Sequence, residues 1–177
     1  AEFGGLEALG DEPIVVWFNT SEAHAQIAEA ITNQWREVLG IENVVFENLE
    51  FSEYLPLLDE KGVTGPFRLG WGADYLSPLN FLEPLYSVSN TPPVGSNSTF
   101  TDIPEFDEQI ALGKAAIAES GDLADAVPFY NAAEDILCEN VPSIPIYFTQ
   151  NTYVWNDTVD NVVQSALSKM NWTDMTG

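Results

Sequence analysis

Residues 13–18, Pro-Ile-Val-Val-Trp-Phe, form the stretch that decides the fold. The run is short and apolar, it is rich in β-branched and aromatic side chains, and it ends at the polar residues 19–21, Asn-Thr-Ser. This length and composition are typical of a strand that is buried on both faces, as strands of parallel sheets are. The sequence therefore predicts a fold organised around a buried strand in its first twenty residues.

The residues after this strand predict a helix that packs on the sheet. Asn19, followed by Glu22 three residues later, is typical of a helix N-cap, and Gly40 is typical of a helix end. Between them, apolar side chains recur on one helical face, namely Ile27, Ile31, Trp35 and Val38.

Two further strands and a short helix continue this pattern. Residues 43–47 and 66–71 predict strands, and residues 52–60 predict a helix capped by Ser52. The order βαβαβ predicts an α/β fold with a mixed, mostly parallel sheet flanked by helices. Ligands of such folds bind just beyond the carboxyl ends of the strands, so we expect a site after the third strand.

The second half of the chain predicts a loop, two helices and returning strands. Residues 87–102 are almost all polar or turn-forming, and a loop of this length is either functional or mobile. A first helix presents one face, formed by Phe106, Ile110, Gly113 and Ile117. A second helix, capped by Asp122, presents Leu123, Val127, Tyr130 and Leu137. Pro128 requires this second helix to start late or to kink, and residues 141–148 and 152–155 predict strands.

Composition and charge exclude several classes of partner. The 177 residues are 45% apolar, which predicts one globular domain with a hydrophobic core. Five basic residues against 28 acidic ones give a net charge of -23. This charge repels phosphate backbones and anionic lipid surfaces, so we expect no nucleic-acid partner. No apolar run reaches the length of about 18 residues that suggests a membrane span.

The chemistry-bearing residues do not predict an enzyme. Cys138 is the single cysteine and His24 the single histidine, so a zinc site lacks ligands, and a structural, buried role is the default expectation for Cys138. Paired carboxylates carry no information in a chain with 28 acidic residues. We therefore predict no catalytic residue, no metal and no cofactor.

A resemblance to a known family rests on residues 70–82. Gly70-Trp71-Gly72-Ala73-Asp74-Tyr75, then Ser77-Pro78 and Asn80-Phe81-Leu82, resembles the signature of the oligopeptide and dipeptide solute-binding proteins of ABC importers. Residues 104–107, 129–137 and 141–146 are similar to that family in type and order.

This resemblance implies a domain organisation. The chain corresponds to the carboxyl-terminal lobe of a two-lobed, periplasmic-binding-protein-like (type II) fold, without the larger amino-terminal lobe. Residues 1–12 would be a linker, residues 13–148 the ligand-binding lobe, and residues 149–177 a return segment that packs on the missing lobe. Apolar side chains of that segment would then be exposed, fold back or pair with another molecule, namely Tyr153, Trp155, Val162, Val163 and Leu167.

The resemblance also implies a function and a site. Family members grip a peptide between two lobes and present it to a membrane permease, and the aspartate that matches Asp74 pairs with the peptide's amino terminus. From the residues alone, Asp74 beside Trp71 and Tyr75 suits a cation held against aromatic walls. The predicted ligand-binding residues are Trp71, Gly72, Asp74, Tyr75 and Asn97. The family implies a location outside the cytoplasm, in the periplasm or on a lipid anchor that lies outside this chain.

Several alternatives remain open. Asp74 could be a helix cap or turn residue before Ser77-Pro78, and Trp71 could pack in the core. The ligand could be a nickel chelate, a sugar or another solute, because relatives with the same fold bind these. A third hypothesis is that the chain is a surface interaction module.

Overall fold

A computed structural model describes residues 10–147, 150, 152–165, 167, 169–170, 172–173 and 175–176 of the chain. The strands and α-helices are β1 (Ile14–Asn19), α1 (Glu22–Leu39), β2 (Val44–Leu49), α2 (Phe51–Asp59), α3 (Leu79–Tyr86), α4 (Pro104–Ser120) and α5 (Val127–Asn140). The chain divides into two compact units, Ala1–Trp71 (unit 1) and Gly72–Gly177 (unit 2).

The sheet of unit 1 is parallel and has β1 at its centre. β1 pairs with β2 from Ile14 opposite Val44 to Asn19 opposite Leu49. On the other edge of β1, the Trp17 N–H donates to the Pro66 carbonyl oxygen at 2.8 Å. The Trp17 carbonyl oxygen accepts from the backbone N–H of Arg68 at 2.7 Å. The predicted α/β class, with parallel strands and helices packed on them, is confirmed.

The predicted third strand, residues 66–71, is reduced to a single parallel bridge between Phe67 and Trp17. Pro66 has no N–H to donate to β1 and so ends the ladder before Phe67, whereas the loss of pairing after Arg68 has no such cause. The prediction of a full strand was therefore wrong, although its position beside β1 was right.

One face of the sheet packs against α1. Val16, Phe18 and Val44 form a buried cluster with Ala28 of the helix. The fully buried positions of α1 are Ala28 and Thr32, one residue later than the predicted face, and Val38 is 77% exposed. Trp35 of the predicted face packs against this cluster. The predicted cap was wrong: the residue before α1 is Ser21, whose side chain makes no capping bond, because Asn19 is the last residue of β1. Gly40 ends α1 in the left-handed conformation, as predicted.

α2 contacts both β1 and the backbone at Arg68 through one side chain, that of Tyr54. It begins at Phe51 after Glu50, not after Ser52 as predicted, and it buries Tyr54 and Leu58. The Tyr54 hydroxyl lies 3.2 Å from the Trp17 carbonyl oxygen and 3.0 Å from that of Arg68. One buried side chain thus bonds to both neighbouring backbone segments.

Unit 2 is built on three helices, α3, α4 and α5. Their shared core contains the buried residues Leu82, Phe106, Ile110, Ala126, Tyr130 and Ala133. The predicted face of α4 is confirmed, since Phe106, Ile110 and Gly113 are buried and Ile117 packs against them.

The start of α5 agrees with the expectation from Pro128. Residues Leu123–Ala126 form a 3₁₀ turn, and α5 begins only at Val127, so that Pro128 lies in its first turn. The Asp122 carboxylate accepts the N–H of Ala124 at 2.9 Å, so Asp122 caps the 3₁₀ turn and not α5 itself, which follows Ala126 without a side-chain cap. Leu123 and Val127 are 40% and 42% exposed, however, so these two were wrongly assigned to the buried face.

The remaining predictions for the carboxyl-terminal part were mostly wrong. Cys138 is exposed, because it faces away from the buried residues of α5. Residues 141–147 and 152–155 form no strand, since no neighbouring segment among the described residues offers them a ladder partner; Phe148 lies outside the described residues. In the return segment Trp155 and Val163 are each 54% exposed. Among the described helices, none is long and apolar enough to cross a membrane.

Candidate functional site

The loop that carries the family motif leads directly into α3. Gly72, Asp74 and Tyr75 are exposed in this loop, and α3 begins at Leu79. The N–H of Leu79 donates to the Ser77 hydroxyl at 3.2 Å, and the N–H of Asn80 donates to the Ser77 carbonyl oxygen at 3.1 Å. Ser77 therefore supplies the acceptors that begin α3.

Asp74 takes no part in capping this helix. Its backbone N–H donates to the Oδ1 atom of Asn80 at 2.9 Å. Among the described residues its carboxylate has no hydrogen bond or ion pair. The alternative that Asp74 serves as a helix cap thus finds no support, because Ser77 accepts the N–H that a cap would accept. An exposed carboxylate on a held backbone can bind a cation.

The two aromatic residues of the motif are accessible. Tyr75 is 47% exposed and Trp71 is 37% exposed, and neither belongs to a hydrophobic cluster of its unit. The alternative that Trp71 is a core residue is therefore not supported. Gly72 has no heavy atom within 4 Å of the position that a Cβ would occupy, so packing does not require glycine there. The ligand-binding roles of Trp71, Gly72 and Tyr75 stay predictions.

Asn97 lies in a different setting from the motif residues. Its side chain is fully buried within the loop of residues 87–102. Its amide nitrogen donates to the carbonyl oxygens of Ser87 and Thr101, at 3.1 and 2.9 Å. Its amide oxygen accepts from the Thr99 hydroxyl and the Thr101 N–H, at 2.8 and 3.1 Å. All four bonds that an amide can form are made, so this side chain holds the loop together and offers nothing to a ligand here.

The ends of this loop are fixed to the helices of unit 2. The Ser87 hydroxyl donates to the Asp107 carboxylate on α4, and that carboxylate also accepts the Val88 N–H at 3.3 Å. The Asn90 amide donates to the Glu83 carbonyl oxygen on α3 at 3.1 Å. The loop predicted to be functional or mobile is therefore tied down by internal hydrogen bonds.

An ion pair and a buried phenol lie beside the motif. Lys114 of α4 pairs with Glu83 of α3 at 2.6 Å, and this hydrogen bond raises the pKa of Lys114. Burial raises the pKa of Tyr130, whose hydroxyl is fully buried and has no hydrogen-bond partner among the described residues. Tyr75 of the motif loop is among the groups that raise the pKa of Lys114 and Tyr130, so it lies near this pair. Because Lys114 is already paired, it is a poor anchor for a ligand anion.

Arg68 is a residue that the sequence reasoning overlooked. It is one of five basic residues in a chain with 28 acidic ones. It is half-buried, and no carboxylate pairs with it in the part of the chain that the structure describes. Its backbone is held by Trp17 and Tyr54, so the guanidinium extends from a fixed backbone position. The signal that could have found it is that a cation, which is scarce in this chain, lies within a predicted strand.

Other candidate groups do not form a site. Nδ1 of His24 lies 3.1 Å from the Asn19 carbonyl oxygen, so this nitrogen is engaged in a local bond. No group of three or more metal-binding side chains occurs among the described residues. A shallow depression in unit 1 lies at the amino ends of β1 and β2, where Ile14, Ile41 and Asn43 line it. In parallel sheets this is the end opposite to the usual ligand site.

The chain has relatives among known proteins. No protein-family model matches the chain. It is 31% identical over 160 residues to the oligopeptide-binding protein OppA of Bacillus subtilis, covering 90% of this chain and 28% of that protein. It is 35% identical over 150 residues to the periplasmic murein peptide-binding protein MppA of Escherichia coli, covering 80% of this chain and 25% of that protein.

The chain is therefore similar, over most of its own length, to the oligopeptide- and dipeptide-binding solute-binding proteins. The structure agrees, because it superimposes on a crystal structure of Haemophilus influenzae OppA in complex with the peptide RPPGFSPFR. The TM-score is 0.65 at 26% identity, and the match covers 77% of this chain and 25% of that one. The resemblance inferred from residues 70–82 is thereby confirmed. The chain spans about a quarter of the length of the relatives it matches.

Proposed function

We propose that the chain is a ligand-gripping part of a peptide-binding protein that serves an ABC importer. Its relatives are named as oligopeptide-, dipeptide- and murein-peptide-binding proteins, and none of those names describes an enzyme. The chain carries this function by binding, not by catalysis. Its ligand is a peptide with a free amino terminus.

The exposed carboxylate of Asp74 carries this proposal. A peptide α-amino group is a cation, and a carboxylate without a partner in a strongly acidic chain gains more from a cation than from any other ligand group. A charge-assisted hydrogen bond of this kind contributes about 1.5 to 3 kcal/mol. That energy is enough to fix the end of a peptide without selecting its side chains, which fits a carrier of broad specificity.

The aromatic residues of the motif support the same assignment. Tyr75 follows Asp74 directly and is nearly half exposed, so its ring can flank a cation at the carboxylate. Trp71 and Gly72 complete the proposed contact set. Asn97 enters only indirectly, by holding the loop of residues 87–102 in shape.

The wider setting follows from the length of the relatives. We propose that residues 13–148 form one lobe, that a larger amino-terminal lobe closes over the peptide, and that residues 149–177 pack on that lobe. Closure driven by the better fit of the ligand to one state would present the loaded protein to a permease. The protein would work outside the cytoplasmic membrane, like the periplasmic relative MppA.

Calorimetric titration tests the role of Asp74. The full-length protein that contains this chain is titrated with peptides of two to six residues, either free or N-acetylated, and so is its Asp74→Asn variant. We expect the free amine to strengthen binding roughly 10- to 100-fold in the wild type, and we expect Asp74→Asn to abolish that difference.

Asp125→Asn is the matched control, because Asp125 is also exposed in unit 2 and the charge change is the same. It should leave the preference for the free amine intact. Tight peptide binding that depends on neither the amine nor Asp74 would move the ligand to another class, such as a sugar or a metal chelate. No binding of any peptide would favour a surface interaction module instead.

A further inference from the structure

Asn80 is a buried polar residue whose side chain serves the exposed loop before its helix. It is the second residue of α3 and is 3% exposed. Its Oδ1 atom accepts the backbone N–H of Asp74 at 2.9 Å, an ordinary length for such a bond. A buried amide oxygen needs a donor, and the Asp74 N–H supplies one.

This bond fixes the backbone of Asp74 and leaves its side chain free. A turn aspartate commonly bonds with its own carboxylate to nearby N–H groups, and that carboxylate is then partly neutralised. Here Ser77 supplies the acceptor for the Leu79 N–H, and Asn80 supplies the acceptor for the Asp74 N–H. The carboxylate of Asp74 thus extends from a fixed backbone, and no donor among the described residues occupies its oxygens.

We propose that Asn80 is a positioning residue for the recognition of the ligand's amino group, which it achieves by holding the backbone of Asp74 against α3. The inference rests on the proposed function of Asp74 as the contact for that amino group. Positioning matters because a loop that must be ordered on binding spends part of the interaction energy on its own immobilisation. A carboxylate that is already held in place avoids that cost.

Three variants of the full-length protein separate positioning from a general structural role. Asn80→Leu keeps a similar volume and removes the acceptor, whereas Asn80→Asp keeps an acceptor oxygen at the same place. Ser77→Ala is the matched control, because it removes a bond of the same turn without touching the bond to Asp74. The readout is the ratio of dissociation constants for N-acetylated and free peptides, measured on protein whose folding is verified by circular dichroism.

We expect Asn80→Leu to reduce this ratio about three- to tenfold, by weakening the free peptide while leaving the acetylated one unchanged. Asn80→Asp and Ser77→Ala should keep the ratio. A merely structural role would weaken both peptides equally, so an unchanged ratio in folded Asn80→Leu would overturn the inference. If the wild type itself shows no preference for the free amine, the function proposed for Asp74 fails, and the role of Asn80 fails with it.

A measurement without any variant tests the bond directly. In the ligand-free wild-type protein, the Asp74 amide should exchange its hydrogen at least about tenfold more slowly than those of exposed Gly72 and Tyr75. Equal exchange at the three amides would show that the bond to Asn80 is not formed in solution. That result would overturn the positioning role while leaving Asp74 free to act as the amine contact.

Discussion

Tyr54 shows how a single buried residue ties the stability of unit 1 to pH. Its hydroxyl is buried and bonds to the carbonyl oxygens of Trp17 and Arg68. Burial raises the pKa of Tyr54, and the nearby positive charge of Arg68 only partly opposes this. The folded state therefore holds the phenolic proton more tightly than the unfolded chain does. The resulting stabilisation is complete below the ordinary tyrosine pKa of about 10 and is lost as the pH rises above it.

We predict that Tyr54→Phe has two effects. At pH 7 it should lower the free energy of unfolding by about 1 to 2 kcal/mol, because the hydroxyl proton that Trp17 and Arg68 share as acceptors is lost. Above pH 10 the loss of stability with rising pH should be shallower than in the wild type, because the group that titrates is gone. Urea unfolding at pH 7 to 11 measures both. Tyr147→Phe is the control, since Tyr147 is 60% exposed; if its alkaline slope changes as much, burial of Tyr54 is not the cause.

Asn97 illustrates what residue type and position alone cannot reveal. The sequence shows an asparagine in a polar loop, which suits both a ligand contact and a structural one. The choice depends on donors and acceptors that come from Ser87, Thr99 and Thr101, and their distances are set by the folded loop. For Asp74 the sequence is more informative, because Asn80, which holds its backbone, lies in the same short motif.

At the scale of elements, α4 and α5 pack closely at one glycine. A Cβ added to Gly113 would overlap the Tyr130 ring, so one of the two helices or the ring would have to move. Alanine ordinarily stabilises a helix relative to glycine by about 0.5 to 1 kcal/mol. Gly113→Ala should nevertheless destabilise the protein, by about 1 to 3 kcal/mol, because overpacking outweighs that gain. Chemical denaturation measures the difference.

A double-mutant cycle identifies the cause of this effect. Tyr130→Leu removes the ring, so in that background Gly113→Ala should be far less destabilising or even stabilising. The same loss of stability in both backgrounds would mean that the contact between α4 and α5 does not require glycine.

The elements that could be predicted are those whose patterns are local. β1, β2, α1, α4 and α5 were found because each carries its own apolar periodicity and its own cap or stop signal. α3 was not predicted, because it is only eight residues long, Pro78 directly precedes it and Pro84 lies inside it. Prolines at these positions argue against a helix when only the sequence is considered. The strand expected at residues 141–148 failed for a different reason. Its composition suits a strand, but a strand needs a partner, and composition does not supply one.

At the scale of the whole molecule, charge and exposed apolar surface point in different directions. The net charge of -23 keeps the chain soluble and disfavours its self-association. Unit 2 nevertheless exposes large apolar side chains after α5: Ile144 (71%), Ile146 (58%), Tyr147 (60%) and Val154 (94%). Scattered exposed apolar residues are ordinary, but a run of them along one segment is typical of a surface that another structure covers.

Hydrogen exchange can show whether the rest of the protein covers this segment. If the proposed amino-terminal lobe packs on it, amides of residues 141–147 should exchange within seconds in the isolated chain and at least about tenfold more slowly in the full-length protein. Amides of α4 provide the control and should be equally protected in both. Equal exchange of residues 141–147 in the two proteins would mean that the rest of the protein does not cover this part of the exposed segment. Peptide affinity can be compared between the same two proteins. A chain that supplies only one side of a closing site should bind peptides far more weakly alone than in the full-length protein. Saturable micromolar binding by the isolated chain would mean that peptide binding does not need a second lobe.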